Sequence, residues 1–146
     1  PRPEESFDAF LTAARNAKSF SQILPYLPAD KREYYEREQK AYDPAQARER
    51  RIRYEKEGKL DADAIAQLTQ TPFENGLKHY QSVARKINEF VAARTNGDRA
   101  YLEVTIHIND VINGQRMTKS TATIGMVGEG SSWKLESFQE GIFAER

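Results

Sequence analysis

Cysteine is missing from this chain, and that absence removes disulfides, thiolate metal sites and thiol nucleophiles together. Net charge is missing as well: 22 lysines and arginines balance 22 aspartates and glutamates. A domain that grips nucleic acid through its phosphates carries a basic excess, so no nucleic-acid partner is expected. No apolar run approaches the roughly 18 residues of a membrane-spanning helix, so no transmembrane segment is expected. Histidine is scarce. His79 and His107 lie far apart, without a His-x-x-x-His or His-x-Glu spacing, so no metal site is expected. The P-loop, the GxSxG elbow and the dinucleotide fingerprint are also missing, so no cofactor is expected. Gly125, Gly128 and Gly130 belong to a hairpin and make no phosphate cradle.

What is present fits one domain: 146 residues can bury a single two-layer core. Phe7, Phe10, Leu11 and Ala14 recur at helical spacing behind Ser6 as a cap, so residues 1–5 read as a tail and 6–146 as the domain. Ser19 to Gln22 has the form of a capping box, Pro25 and Pro28 break the chain, and Pro28 can open a helix over about Ala29 to Ala41. The stretch DPAQARERRIRYEKEG, Asp43 to Gly58, predicts a helix solvated nearly all round. A shorter helix follows to Thr69, with Ile65 and Leu68 facing inward, so 43–69 reads as a charged helical insertion. Thr71-Pro72 caps a further helix to about Val83. Beyond it Ile87 and Val91 continue the helical spacing, while Ile87, Glu89, Val91 and Ala93 also fit alternation. Periodicity thus leaves 84–95 open between helix and strand, and a strand is placed over about Lys86 to Thr95. The chain starts without methionine on a proline-bearing polar stretch, which reads as an imposed boundary or a processed export signal, and points to a periplasmic or envelope location over a cytoplasmic one.

The last third is β. Asn96-Gly97 and Asn113-Gly114 are type I′ hairpin dipeptides, and Leu102, Val104, Ile106 and Ile108 alternate with Tyr101, Glu103, Thr105 and His107. Ala122, Ile124 and Met126 continue the apolar set, and Trp133 and Leu135 open the last strand. The fold class is therefore α+β: N-terminal helices packed on a curved antiparallel sheet of about four strands.

Asn96-Gly-Asp-Arg-Ala-Tyr-Leu102 and Val127-Gly-Glu-Gly-Ser-Ser-Trp-Lys-Leu135 resemble the strand entry and final hairpin of the nuclear transport factor two-like superfamily, also called cystatin-like or SnoaL-like. The resemblance covers about Ser6 to Phe138 and is strongest after Lys86. It implies a cone between sheet and helices, in which the superfamily's enzymes hold substrate against carboxylates, histidines or tyrosines. It also implies pairing of two copies through the outer sheet face. The charged stretch 43–69 is longer than the superfamily's usual connection. The superfamily spans isomerases, dehydratases, cyclases, adaptors and domains without activity, so fold leaves function open.

Side-chain parity speaks against catalysis. The row Leu102, Val104, Ile106 and Ile108 turns aliphatic groups inward, which puts Glu103 and His107 on the opposite face, and no catalytic residue is assigned. His79, beside Tyr80 on a helix, reads as a surface residue. Tyr34, Tyr35, Tyr42 and Tyr80 are the candidate ligand contacts, each an apolar ring with a polar tip, although such rings also staple helices to a sheet. The arginines at 48, 50, 51 and 53 are diluted by glutamates and read as a solvated face. Tyr101, Glu103 and His107 form the candidate homodimer face. The expected function is a non-catalytic domain binding a small apolar ligand or a protein partner. The alternative is an isomerase- or dehydratase-like enzyme with a buried acid or base in the cone.

Overall fold

The computed structural model describes residues 1–140. The chain is α+β, with helices first and then an open four-stranded antiparallel sheet in the order β1-β2-β3-β4. Helix α1 spans Pro3–Asn16. It starts three residues ahead of the expected Ser6, so the stretch read as a tail supplies its first turn. Pro3 suits the first position, Glu4 and Glu5 suit the positive end of the helix, and Glu5 accepts the Arg2 N–H at 2.9 Å. Ser6 is no cap. Its hydroxyl accepts the Trp133 N–H at 3.3 Å and ties α1 to the last strand.

Two short 3-10 turns, Phe20–Gln22 and Leu24–Tyr26, follow, with Gln22 accepting the Ser19 N–H at 3.3 Å in the expected capping box. Helix α2 spans Ala29–Ala41, and Pro28 caps it instead of occupying its first position. Its first N–H, on Ala29, is satisfied from across the fold by Glu129 at 3.0 Å. Helix α3, Pro44–Glu57, is capped by Asp43, ends on Gly58 at φ 68° and buries only Ala47. Helix α4, Ala62–Thr69, is capped by Asp61 and buries Ile65 and Thr69. Leu68, expected inward, is 52% exposed, because the buried face runs through the i, i+4 pair Ile65 and Thr69.

Helix α5 spans Pro72–Lys86, three residues beyond the expected stop at Val83. Tyr80, Val83, Ala84 and Ile87 are all buried at helical spacing, so packing carries the helix to the strand without a loop. Arg15 clasps this junction by donating to the carbonyls of Ala84 at 3.1 Å and Ile87 at 3.4 Å.

The strands are β1 (Ile87–Asn96), β2 (Arg99–Ile112), β3 (Gln115–Glu129) and β4 (Ser132–Glu140). The β2–β3 turn has Asn113 at φ 52° and Gly114 at φ 80°, the positive pair of type I′. At the β1–β2 turn Asn96 pairs with Arg99, so the central residues are Gly97 and Asp98, one position later than expected. Only Gly97 has positive φ there, as type II′ requires. Parity on β2 holds: Leu102, Val104 and Ile106 are buried beneath the helices, and on β3 Ala122, Ile124 and Met126 share their face. On β1 the expected simple alternation fails. Register shifts between Ile87 and Glu89 and between Phe90 and Ala92 put Phe90 on the inner face opposite Val104, while Ala92 lies opposite Glu103. The sheet curls enough that Lys86, the last residue of α5, reaches Glu140 at the end of β4 across 3.3 Å.

Phe10, Phe20, Ile23 and Leu27 from the helical layer meet Leu102, Val104, Ile106, Ile124 and Met126 from the sheet, all fully buried. The place where a cone would lie is thus occupied by the protein's own core. No helix of the described residues is long and apolar enough to cross a membrane.

Candidate functional site

Two polar stripes at helical spacing face one another outside this core. On α4 and its C-cap they are Asp63, Gln67 and Gln70, with the small Ala66 between them; on α5 they are Asn75, Lys78, His79 and Ser82. Each set follows i, i+3, i+4, i+7, so each lies along one side of its helix. Together with Tyr35 from α2 they line an open groove of about 600 Å³.

The groove is wired by amides. Lys78 donates to the Gln70 carbonyl oxygen at 3.0 Å, Gln70 donates to Asn75, and Asn75 donates to the backbone carbonyl of Gln67 at 2.9 Å. This chain ties α4 to α5. It leaves a polar wall of amides with one ammonium, Lys78, and one carboxylate, Asp63, groups that recognise peptide-like hydrogen-bonding partners.

Behind the wall stands an aromatic cluster. Phe20 packs against Tyr35, Phe73 and Tyr80 with ring centroids 4.6, 5.1 and 6.1 Å apart. Burial pushes the Tyr80 hydroxyl well above the usual tyrosine range, and the neighbouring Tyr35 adds to the effect. Burial likewise raises Tyr35, against the pull of a hydrogen bond from Tyr80. Both phenols therefore stay neutral at neutral pH.

His79 stands edge-on to Tyr80, its ring centroid 4.7 Å from that of the tyrosine, with its other side open to the groove. Desolvation lowers its pKa from the ordinary 6.5, and the positive charges of Lys31 and Lys86 lower it further. No carboxylate contributes in the opposite sense, so Asp63 and Ser82, though they share the groove, do not make His79 a charge-supported base.

The four candidate tyrosines divide. Tyr35 lines the groove and Tyr80 lies behind it. Tyr34 is exposed, 5.5 Å from the Tyr35 ring. Tyr42 is not brought to the groove wall. Its hydroxyl donates to the Thr69 carbonyl at 2.7 Å, closing the C-terminal end of α4. Tyr101, Glu103 and His107 do share the outer sheet face: Tyr101 lies under the Arg94 guanidinium at 5.3 Å, Glu103 lies opposite Thr123 and His107 opposite Lys119. Among the described residues the buried polar side chain is Thr69, whose hydroxyl donates to the Ile65 carbonyl at 2.6 Å, and no buried side-chain nitrogen or oxygen is left unpartnered. No group of three or more His, Asp or Glu residues among them converges as a metal site would require.

Reading from sequence missed Gln67, Gln70, Asn75 and Lys78. Their signal was present as polar repeats at i, i+3, i+4, i+7 on two successive helices, a pattern that marks a shared polar face as clearly as apolar repeats mark a core.

The class of protein defined by these features is an α+β domain whose helices cover one face of an open antiparallel sheet and hold a polar groove on their far side. No family model, curated protein or solved structure matches the chain.

Proposed function

We propose that this chain is a non-catalytic binding domain that takes an extended segment of a protein partner into the groove between α2, α4 and α5. The observation that carries this is the placement of polar groups. The interior is aliphatic and aromatic, while the Gln67 side chain, the Asp63 carboxylate, the Lys78 ammonium and the His79 imidazole line an open channel. A small apolar ligand would need the interior, and that space holds Phe10, Phe20, Leu102 and Ile106. The isomerase- or dehydratase-like alternative would need an acid or base there, and the buried tyrosine of the core, Tyr80, is held neutral by its burial.

Kinship with the nuclear transport factor two-like superfamily belongs to this proposal. Helices ahead of an open meander, and tight turns at Gly97 and Gly130, support it. The occupied interior supports an adaptor-like member over an enzymatic one.

The test has two arms. Peptides selected against the immobilised domain by display are titrated into isotope-labelled protein, and steroid-like, polyketide-like and fatty ligands are screened by thermal shift. The expected result is amide shifts clustered at Tyr35, Gln67, Gln70 and His79, with no stabilisation by apolar ligands. A rise in Tm with an apolar ligand, accompanied by shifts at Leu102 and Ile124, would refute the proposal in favour of an internal pocket.

A further inference from the structure

Strand β1 is an edge of the sheet, and from Glu89 to Asn96 every residue is exposed. Its middle carries two large apolar side chains in solvent, Phe90 at 50% and Val91 at 51%. A free strand edge is a template for another strand, and proteins usually blunt it with repelling charges, proline or bulges; β1 carries two register shifts against β2. This one has no proline, and its two charges on the outer face are of opposite sign: Glu89, opposite Thr105, and Arg94, opposite Tyr101.

We propose that β1 is a homodimer interface, pairing antiparallel with β1 of a second copy about a two-fold axis between Val91 and Ala92. Faces and charges both match in that register. Glu89 meets the partner's Arg94 on the outer face, and Arg94 meets the partner's Glu89, so one symmetric ladder makes two ion pairs. Phe90 meets the partner's Ala93 on the inner face, where a large ring opposes a small methyl. The register shift at Val91 makes this possible. It brings Glu89 and Arg94, five positions apart, onto one face, which unbroken alternation would forbid.

The inner side supplies the remaining space. Beside β1 lies a groove of about 380 Å³ between α1 and the strand, floored by Phe7, Leu11, Ile87, Phe90 and Val104. The ladder closes the open end of this groove and removes Phe90 from water. The surface adjoins the outer-face patch of Tyr101, Glu103 and His107 through Arg94, whose guanidinium covers the Tyr101 ring, and it shares no residue with the groove proposed for a protein partner. A six-residue ladder is a small interface, so the dimer is expected to be weak and concentration-dependent.

The experiment is sedimentation of the full chain over a concentration series reaching the millimolar range. The wild type is expected to move from monomer to dimer. Glu89→Arg and Arg94→Glu each place like charges across both ends of the ladder and are expected to weaken association about tenfold or more. The double variant Glu89→Arg/Arg94→Glu restores the pairs and is expected to recover it. Amide hydrogen exchange gives a second readout: Phe90 to Ala93 should become protected only at high concentration. A chain that stays monomeric throughout, or a dimer indifferent to both single reversals, overturns the proposal. So does a dimer that the double variant fails to restore while its exchange pattern as a monomer stays that of the wild type.

Discussion

Replacing Gly76 by alanine should destabilise this protein, although it replaces the poorest non-proline helix former with the best. Gly76 lies inside α5 and has no positive φ, so alanine meets no backbone strain and gains about 1 kcal/mol of helix propensity. The penalty is steric. A β-carbon there would stand 2.6, 2.8 and 2.9 Å from three atoms of the Phe20 ring, where about 3.5 Å or more is needed. The ring has little room to retreat, because Tyr35, Phe73 and Tyr80 enclose it at centroid distances of 4.6 to 6.1 Å. Overpacking of this kind costs about 1–3 kcal/mol, and an enclosed ring belongs at the upper end, leaving a net loss of about 2 kcal/mol. In urea, with a slope of about 1–3 kcal/mol/M, the midpoint should fall by about 1 M at unchanged slope. The same substitution in a Phe20→Leu background should lose most of its effect, since the smaller side chain frees the space. A midpoint for Gly76→Ala at or above that of the wild type would show that the helix layer is looser around Phe20 than these distances allow.

Tyr80→Phe removes a buried hydroxyl and should cost about 1 kcal/mol at neutral pH, read from the urea midpoint. It should also blunt alkaline unfolding: the raised pKa of Tyr80 gives stability that is complete below the ordinary value of 10.0 and is lost as pH climbs past it, because the unfolded chain then releases a proton the folded one keeps. For His79 the direction is opposite. Its pKa is depressed below 6.5, so as pH falls through that value the unfolded chain takes up the proton first and stability drops; His79→Gln should remove that part of the acid sensitivity in paired urea titrations at neutral and mildly acid pH. Glu129 accepts from Arg32 at 2.7 Å and from the Ala29 N–H at 3.0 Å, and the hydrogen bond from Arg32 is the leading cause of its lowered pKa. Its contribution is present above the ordinary value of 4.5 and lost as pH falls below it. Glu129→Gln should therefore cost at most about 1 kcal/mol at neutral pH, the two partly exposed side chains being screened by water, and nothing in acid, as checked by thermal unfolding at both pH values.

The parts of this fold that could be read from residues are those where a single local rule acts. The alternation from Tyr101 to Ile108 gave β2 its inner and outer faces, and Asp43 with Gly58 bounded α3 because a cap and a left-handed stop are decided within a few residues. The misreadings arise where distant packing decides. Helix α5 outlasts its expected end because Val83 and Ala84 are buried in it, and the faces of β1 shift because the strand bulges against β2. Ser6 resembled a cap, yet its hydroxyl serves Trp133, 127 residues away. For the candidate site, the tyrosines point to only part of the groove, Tyr35 in its wall and Tyr80 behind it. An exposed aromatic ring is conspicuous in a sequence, but the groove is built mainly from Gln67, Gln70, Asn75 and Lys78, whose common face emerges only when α4 and α5 are set side by side.

That arrangement bears on how the domain can work. Among the described residues, aliphatic strands and aromatic helices meet with their buried side-chain polar atoms already hydrogen-bonded. The proposed recognition therefore rests on the surface. The segment from Asn75 to Arg94 supplies two separate surfaces in succession: the polar stripe of α5 ends at Ser82, and the exposed edge begins at Glu89. Between them the chain passes from helix to strand without a loop, held by Arg15 on both sides of the junction. A link without shared residues would let the proposed partner segment in the groove and the proposed second copy on the edge be held at once. Two such grooves carried on one dimer would raise the effective affinity for a partner that presents paired segments.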